Sequence, residues 1–310
     1  MKKMLLTLLI LNITLTASEF QYGKGRFDLA GGFLGLEQSI GTDISTFTLA
    51  NPHANLPLSH LFYSYDVTWM DSQQLQQAQQ SYNNLASTTN NFFAINTNEY
   101  LKVPAMEHRV KGLDANLRFG YDILHQDEDN FLGLGVLVGL SIPWIDSSKD
   151  NDASPSFGFI RDNSGNLLQT ADYFKQSKTS IMTYKIGPSI NFKKTLISDK
   201  LSLYGIGSFA YQTGSIENDA IDSKLSVNGT FQEYNLGLYY TPFTEKYQWG
   251  WLTLSPRIYT TLGYKYSKWD VDNAIIDISG AKLSSDILDP LGMKFSMESA
   301  IGYLGVGYSF

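Results

Sequence analysis

The sequence contains no cysteine and is poor in charge. The absence of cysteine excludes a disulfide framework, a thiol nucleophile and a thiolate metal site. Charged residues make up 17% of the chain, compared with about 25% in an average globular protein. The net charge is −7, whereas a nucleic-acid-binding protein needs a basic stripe. We therefore expect no nucleic-acid partner.

Long hydrophobic runs are also lacking after the N-terminus. A membrane-spanning helix needs about 20 apolar residues. The most apolar internal stretch, residues 131–145, is shorter than that and contains glycine and proline. This excludes an ordinary helical membrane protein.

The first residues have the pattern of a secretory signal. Lys2 and Lys3 precede an apolar core over residues 4–15, and small residues at 16–18 follow. This pattern predicts a signal peptide over residues 1–18, with cleavage after Ser18 and a mature domain over 19–310. The alternative, a membrane anchor, is disfavoured because the apolar core is short and contains polar residues.

Apolar residues recur with a period of two through most of the chain. From residue 113 to 123, apolar side chains alternate strictly with polar or charged ones. Such alternation is typical of a β-strand with two different faces. Similar runs are present at residues 131–142, 182–192, 201–213, 234–240, 252–267 and 299–310, and a further run at 26–37 precedes them.

These runs predict an all-β, antiparallel up-and-down transmembrane β-barrel. Several of them are far longer than the 5 or 6 residues that are usual in soluble sheets. Short connections alternate with long ones at 38–110, 146–176 and 269–292, as expected for a membrane barrel with long external loops. A secreted β-sandwich is the rival prediction, and it gives no reason for this asymmetry.

The strand count is eight in the direct interpretation and ten in the alternative. Residues 62–70 also alternate, and a tenth strand would then be required near 92–103. In the eight-stranded interpretation, 38–110 is one long first external loop, and residues 71–85 form a short amphipathic helix within it.

The last strand resembles the C-terminal signature of Gram-negative outer-membrane β-barrels, which ends on an aromatic residue after alternating apolar residues. The matching residues here are Leu304, Val306, Tyr308 and Phe310. The resemblance implies location in the outer membrane after export, and recognition of these four residues by the barrel-assembly machinery. It also implies contact with outer-membrane lipid and lipopolysaccharide.

Alternation also predicts which charges point into the barrel. A cation that faces lipid costs about 2–4 kcal/mol at the midplane, so charged positions are expected on the lumen face. The predicted lumen charges are Asp28, Asp114, Arg118, Asp122, Lys185, Arg257 and Lys265. They would form structural ion pairs in an eight-stranded barrel. Ten strands would make a pore more credible, in which Arg118, Arg257 and Lys265 contact passing anions.

No catalytic, metal or cofactor motif accompanies this pattern. None of the four histidines lies in the motif that nucleophilic or proteolytic catalysis requires, and Ser59 precedes His60 without a supporting motif. His53 and His60 are too far apart in a loop to predict a metal site. We therefore expect a non-enzymatic surface protein whose external loops contact an extracellular ligand. A narrow porin-like channel is the alternative, and an outer-membrane enzyme is a third hypothesis.

Overall fold

The computed structural model describes most of the chain from Ser18 to Tyr308. The described residues are 18–33, 36–55, 60–77, 80–82, 101–103, 105–124, 130–149, 176–198, 200–218, 223–243, 245–249, 252–254, 257–278, 281–283 and 294–308. Within this part, no helix is long and apolar enough to cross a bilayer. The signal peptide predicted for residues 1–18 lies almost wholly outside the described residues.

Ten long antiparallel strands form the wall of the molecule. They are β1 Ser18–Phe33, β2 Leu36–Asn55, β3 Leu61–Ser72, β4 Met106–Asp122, β5 Asn130–Lys149, β6 Gln176–Ile197, β7 Leu201–Asn218, β8 Ser223–Tyr240, β9 Ile258–Ile278 and β10 Lys294–Tyr308. Each strand pairs with the next along the chain, and β10 pairs with β1. The sheet is therefore a closed barrel, which leaves no unpaired strand edge.

Six short strands extend from the wall. They are Leu75–Gln77, Gln80–Tyr82, Leu101–Val103, Tyr247–Trp249, Leu252–Leu254 and Ala281–Leu283. Leu75–Gln77 pairs with β4, and Tyr247–Trp249 forms a small hairpin with Leu252–Leu254. The lower end of the barrel is defined here as the end that carries Ser18 and Tyr308. The wall strands that flank the connections 73–105, 150–175 and 279–293 have those ends at the opposite, upper end.

The prediction of eight strands is wrong, and the ten-stranded alternative is confirmed. Residues 61–72 form β3, but its partners are β2 at 36–55 and β4 at 106–122, and not a strand near 92–103. The predicted loop 38–110 therefore contains two wall strands and the start of β4. The helix predicted over 71–85 is also wrong where the chain is described, because 75–77 and 80–82 are strands.

The outer surface of the barrel is an apolar belt. Large apolar side chains with more than a third of their surface exposed occur on every wall strand, among them Leu134, Val136 and Ile186. A water-soluble sheet would bury such residues, whereas a barrel in lipid exposes them. Two members of the predicted C-terminal signature, Leu304 and Val306, belong to this belt at 64% and 57% exposure. Tyr308 is half-buried, and Phe310 lies outside the described residues.

Candidate functional site: a filled lumen

The centre of the lumen holds a cluster of six buried charges, which we call the central layer. Its members are Asp66, Asp114, Arg118, Lys185, Glu233 and Lys265. They come from five strands, β3, β4, β6, β8 and β9. Strand alternation turns each of them inward, so residues far apart in sequence meet on the barrel axis.

Arg118 and Lys265 both bridge the same two acids. The Arg118 guanidinium donates to Asp66 at 2.6 Å and also to Glu233. Lys265 Nζ lies 2.6 Å from Asp66 Oδ2 and 3.1 Å from Glu233 Oε2. Two cations and two anions thus alternate around a closed ring, and this arrangement compensates the desolvation of each charge.

Lys185 and Asp114 form a further ion pair, at 2.6 Å, on the upper side of this ring. The Asn116 amide joins the two groups, because its Nδ2 lies 2.8 Å from Asp114 and 3.0 Å from Asp66. Lys185 Nζ also lies 3.9 Å from the centre of the Phe231 ring. Three acids and three bases therefore balance within the central layer.

An apolar layer closes the lumen above the central layer. This upper layer includes Phe27, Met70, Ile181, Phe231, Trp269 and Met297, each at most 3% exposed. The Trp269 indole N–H donates to Ser141 at 2.9 Å, and Ser141 in turn donates to Asp114. A narrow gap without room for a water molecule remains between Asp114 and Met297. Ions would have to cross an apolar plug to pass through this layer.

Aromatic residues fill the lower end of the lumen. Tyr303 donates to Asn235 Oδ1 at 2.6 Å and shares a hydrogen bond with Tyr204. Tyr259 stacks on Tyr239, with ring centres 4.1 Å apart. On the opposite wall Phe62 packs against Phe131 at 4.8 Å. We call Tyr204, Tyr259 and Tyr303 the lower layer.

The structure brings four of the seven predicted lumen charges together. Asp114, Arg118, Lys185 and Lys265 lie in the central layer. Asp122 lies at the lower end of β4, half-buried, where it accepts a backbone hydrogen bond from Leu124 at 3.1 Å.

Two predicted lumen charges are placed elsewhere. Asp28 lies on the outer wall, where it pairs with Arg26 at 2.8 Å and has 43% of its side chain exposed. The expectation that charged side chains face the lumen fails here because the neighbouring Phe27 points into the apolar upper layer. Asp28 therefore points outward. Arg257 is an exposed turn residue immediately before β9.

Sequence reasoning missed two central acids and one polar pair. Asp66 lies in the segment 62–70, which the sequence predicts as a strand only in the ten-stranded interpretation. Glu233 lies one residue before the alternating run at 234–240. His108 Nδ1 lies 2.8 Å from Ser147 Oγ, across the pair of strands β4 and β5. The two residues are far apart in sequence, and no serine lies close after His108. Only the strand register could have revealed this pair.

A closed antiparallel β-barrel with an apolar outer belt and a polar centre defines the class, that of transmembrane β-barrels. The fold expected from the resemblance to Gram-negative outer-membrane barrels is therefore confirmed by the closed barrel. No protein-family model matches the chain, and no curated protein matches it.

Solved structures with a similar fold include outer-membrane proteins. The outer-membrane protease OmpT from Escherichia coli matches over 95% of this chain and 96% of its own, with 9% identity and a TM-score of 0.48. The attachment invasion locus protein Ail of Yersinia pestis matches over 94% and 99%, with 11% identity and a TM-score of 0.28. The toluene transporter TodX of Pseudomonas putida matches over 95% and 90%, with 11% identity and a TM-score of 0.30. These proteins differ in activity and their TM-scores are low, so they assign no activity to this chain.

Proposed function

We propose that the protein is a non-enzymatic β-barrel of the Gram-negative outer membrane. Its lumen is sealed, and its role is exerted at the cell surface through the upper connections 73–105, 150–175 and 279–293. The observation that supports this proposal is the filled lumen. A ten-stranded barrel contains a pore only if side chains do not fill its interior. Here the side chains of the upper layer and the central layer fill it.

The porin-like alternative receives no support from the cations that were expected to line a pore. Arg118 and Lys265 each pair with a buried acid, and Arg257 is an exposed residue in the turn before β9. A passing anion would have to displace these acids and would leave them buried without a partner, which is costly. We therefore assign the central layer to holding the barrel shut.

The enzymatic alternative has one candidate group, the His108–Ser147 pair. His108 contacts Ser147 through Nδ1, and the two residues stand opposite each other in the register of β4 and β5. A nucleophilic serine also requires donors that stabilise a developing oxyanion. We therefore assign the His108–Ser147 hydrogen bond a structural role, in which it links β4 to β5 above the apolar belt.

A sided labelling experiment tests the location and the orientation of the barrel. The chain has no cysteine, so a single introduced cysteine gives no background. Gln76→Cys places an exposed thiol at the upper end, and Lys200→Cys places one in the turn at the lower end as the matched control. On intact cells, a membrane-impermeant maleimide should label Gln76→Cys and not Lys200→Cys.

Permeabilised cells complete this test. Both variants should be labelled once the outer membrane is opened, which shows that each thiol is accessible. Labelling of Lys200→Cys alone on intact cells would contradict the orientation. Recovery of the protein in the soluble fraction after lysis would contradict the membrane location itself.

A further inference from the structure

The buried charges of the lumen do not balance. Within the described residues, the buried Asp, Glu, Lys and Arg side chains are Glu19, Asp66, Asp114, Arg118, Lys185, Glu233 and Lys265. Four are acids and three are bases. The six charges of the central layer neutralise one another, so the unmatched acid is Glu19, on β1 near the lower end of the barrel.

Glu19 uses only one of its two carboxylate oxygens. Oε1 accepts hydrogen bonds from Gln21 Nε2 at 2.9 Å and from the Thr261 hydroxyl. Oε2 is buried and has no hydrogen-bond partner within the described part of the chain. The side chain as a whole is 0% exposed, so bulk water does not solvate it. A buried carboxylate oxygen without a partner is costly, and the cost is removed either by protonation of the carboxyl group or by a cation that binds it.

The surroundings of Glu19 are rich in oxygen. Tyr204, Tyr259 and Tyr303 lie close enough for Glu19 to act on them electrostatically. The wall is also shaped around the carboxylate, because a Cβ at Gly305 would lie 2.3 Å from both Glu19 Oε1 and Thr261 Oγ1. Only glycine at this position lets β10 approach the side chain so closely.

We propose that the Glu19 carboxylate is the anionic ligand of a monovalent cation site at the lower end of the lumen. An ionised Glu19 carboxylate is neutralised by one positive charge, whereas a protonated Glu19 would need none. A calcium ion would need several carboxylates among its six to eight oxygen ligands, whereas Glu19 is the only acid among the contacts described here. The cation binds Oε2 and completes the charge balance of the interior.

Two sources can supply this cation, and both have the same charge. If the signal peptide is removed after Ser18, as the sequence predicts, the new α-ammonium group belongs to Glu19 itself. An α-amino group has a pKa of about 8 and is mostly protonated at neutral pH. The other source is a sodium ion that enters from the solvent at the lower end.

The experiment measures urea unfolding midpoints of the refolded protein in two versions. One version begins at Glu19, and the other carries a Gly-Ser-Gly extension that moves the ammonium group away. Each is measured in sodium chloride and in choline chloride at equal ionic strength. Glu19→Gln removes the charge, and Glu298→Gln, an acid that pairs with Lys268 on the outer wall, is the matched control.

A sodium site predicts a higher midpoint in sodium than in choline, for both versions. With one site, the unfolding equilibrium constant should fall about tenfold for each tenfold rise in free sodium above the Kd. An ammonium partner predicts instead that the extension lowers the midpoint in both salts. Either effect should disappear in Glu19→Gln and persist in Glu298→Gln.

The proposal is overturned if neither the salt nor the extension changes the midpoint, or if the changes persist in Glu19→Gln. Should Glu19→Gln fail to fold, sodium-23 NMR on the two unsubstituted versions decides. Line broadening that potassium reverses, or destabilisation by the extension alone, supports the site. The absence of both effects excludes it.

Discussion

The central layer and the upper layer fill neighbouring parts of one lumen by opposite means. In the central layer, six charges from five strands satisfy one another through short, directional contacts. In the upper layer, apolar side chains such as Ile181 and Met297 fill space without directional contacts. The stability of the central layer therefore depends on the presence of every charged partner. The stability of the upper layer depends instead on how completely its side chains fill the available volume.

Removal of one charge should have the largest effect. Asp66→Asn leaves Arg118 and Lys265 with one acid where they had two, and breaking a buried ion pair in this way costs about 3–5 kcal/mol. We expect this loss in the free energy of unfolding, measured by urea titration in lipid vesicles. The matched control is Asp28→Asn, which removes an acid from the exposed Arg26 pair on the outer wall.

The control should leave stability almost unchanged, because exposed ion pairs contribute little. If Asp66→Asn and Asp28→Asn were equally stable, the ionic ring would not be what holds the centre together.

Truncation in the upper layer should have the next largest effect. Met297 is 1% exposed, and Met297→Ala removes buried volume next to the existing gap beside Asp114. The expected loss of unfolding free energy is about 2–5 kcal/mol, with the size set by how far the layer collapses. Val306→Ala on the lipid-facing surface is the control and should cost less, because no cavity forms there. An equal loss in the two variants would contradict close packing of the upper layer.

A smaller effect is expected in the lower layer. Tyr303→Phe keeps the ring and removes the hydroxyl group that donates to Asn235. The same hydroxyl group also shares a hydrogen bond with Tyr204, so two buried hydrogen bonds are lost, and each should cost about 1 kcal/mol. Tyr264→Phe on the outer belt, where the side chain is 52% exposed, provides the matched control and should cost less. A larger cost for Tyr264→Phe would show that Tyr303 is not held by its hydroxyl group.

The smallest effect concerns His108, which lies above the apolar belt and outside the three layers. Partial burial lowers the pKa of His108 below its ordinary value of 6.5. The folded state therefore disfavours the charged imidazole, and this group destabilises the protein as the pH falls below 6.5. NMR titration should show a lower pKa for His108 in the folded protein than in urea. Equal values in the two states would contradict burial of the ring.

Alternation predicted the wall strands where the two faces differ in polarity. From residue 113 onward it succeeded except at Arg257, because apolar side chains of the wall strands there face lipid and polar ones face the lumen. It failed at β2, where Thr46 and Thr48 point inward and Ser45 and Asp43 point outward, so both faces contain polar residues. The rule that polar side chains face the lumen also fails in the upper layer, where apolar residues face inward. Asp28 is an example, because it lies on the outer wall.

The central layer could be predicted only in part. Four of its charges followed from strand parity, but which acid pairs with which base depends on barrel closure and strand stagger. Asp66 and Glu233 share two cations only because β3 and β8 face each other across the axis. No local pattern carries that information.

The sealed lumen is tested most directly by the conductance of the purified protein in a planar lipid bilayer. The filled layers predict no steady conductance above that of the protein-free membrane. A stable, reproducible single-channel conductance from the unmodified protein would contradict the sealed lumen and would favour the channel in its place.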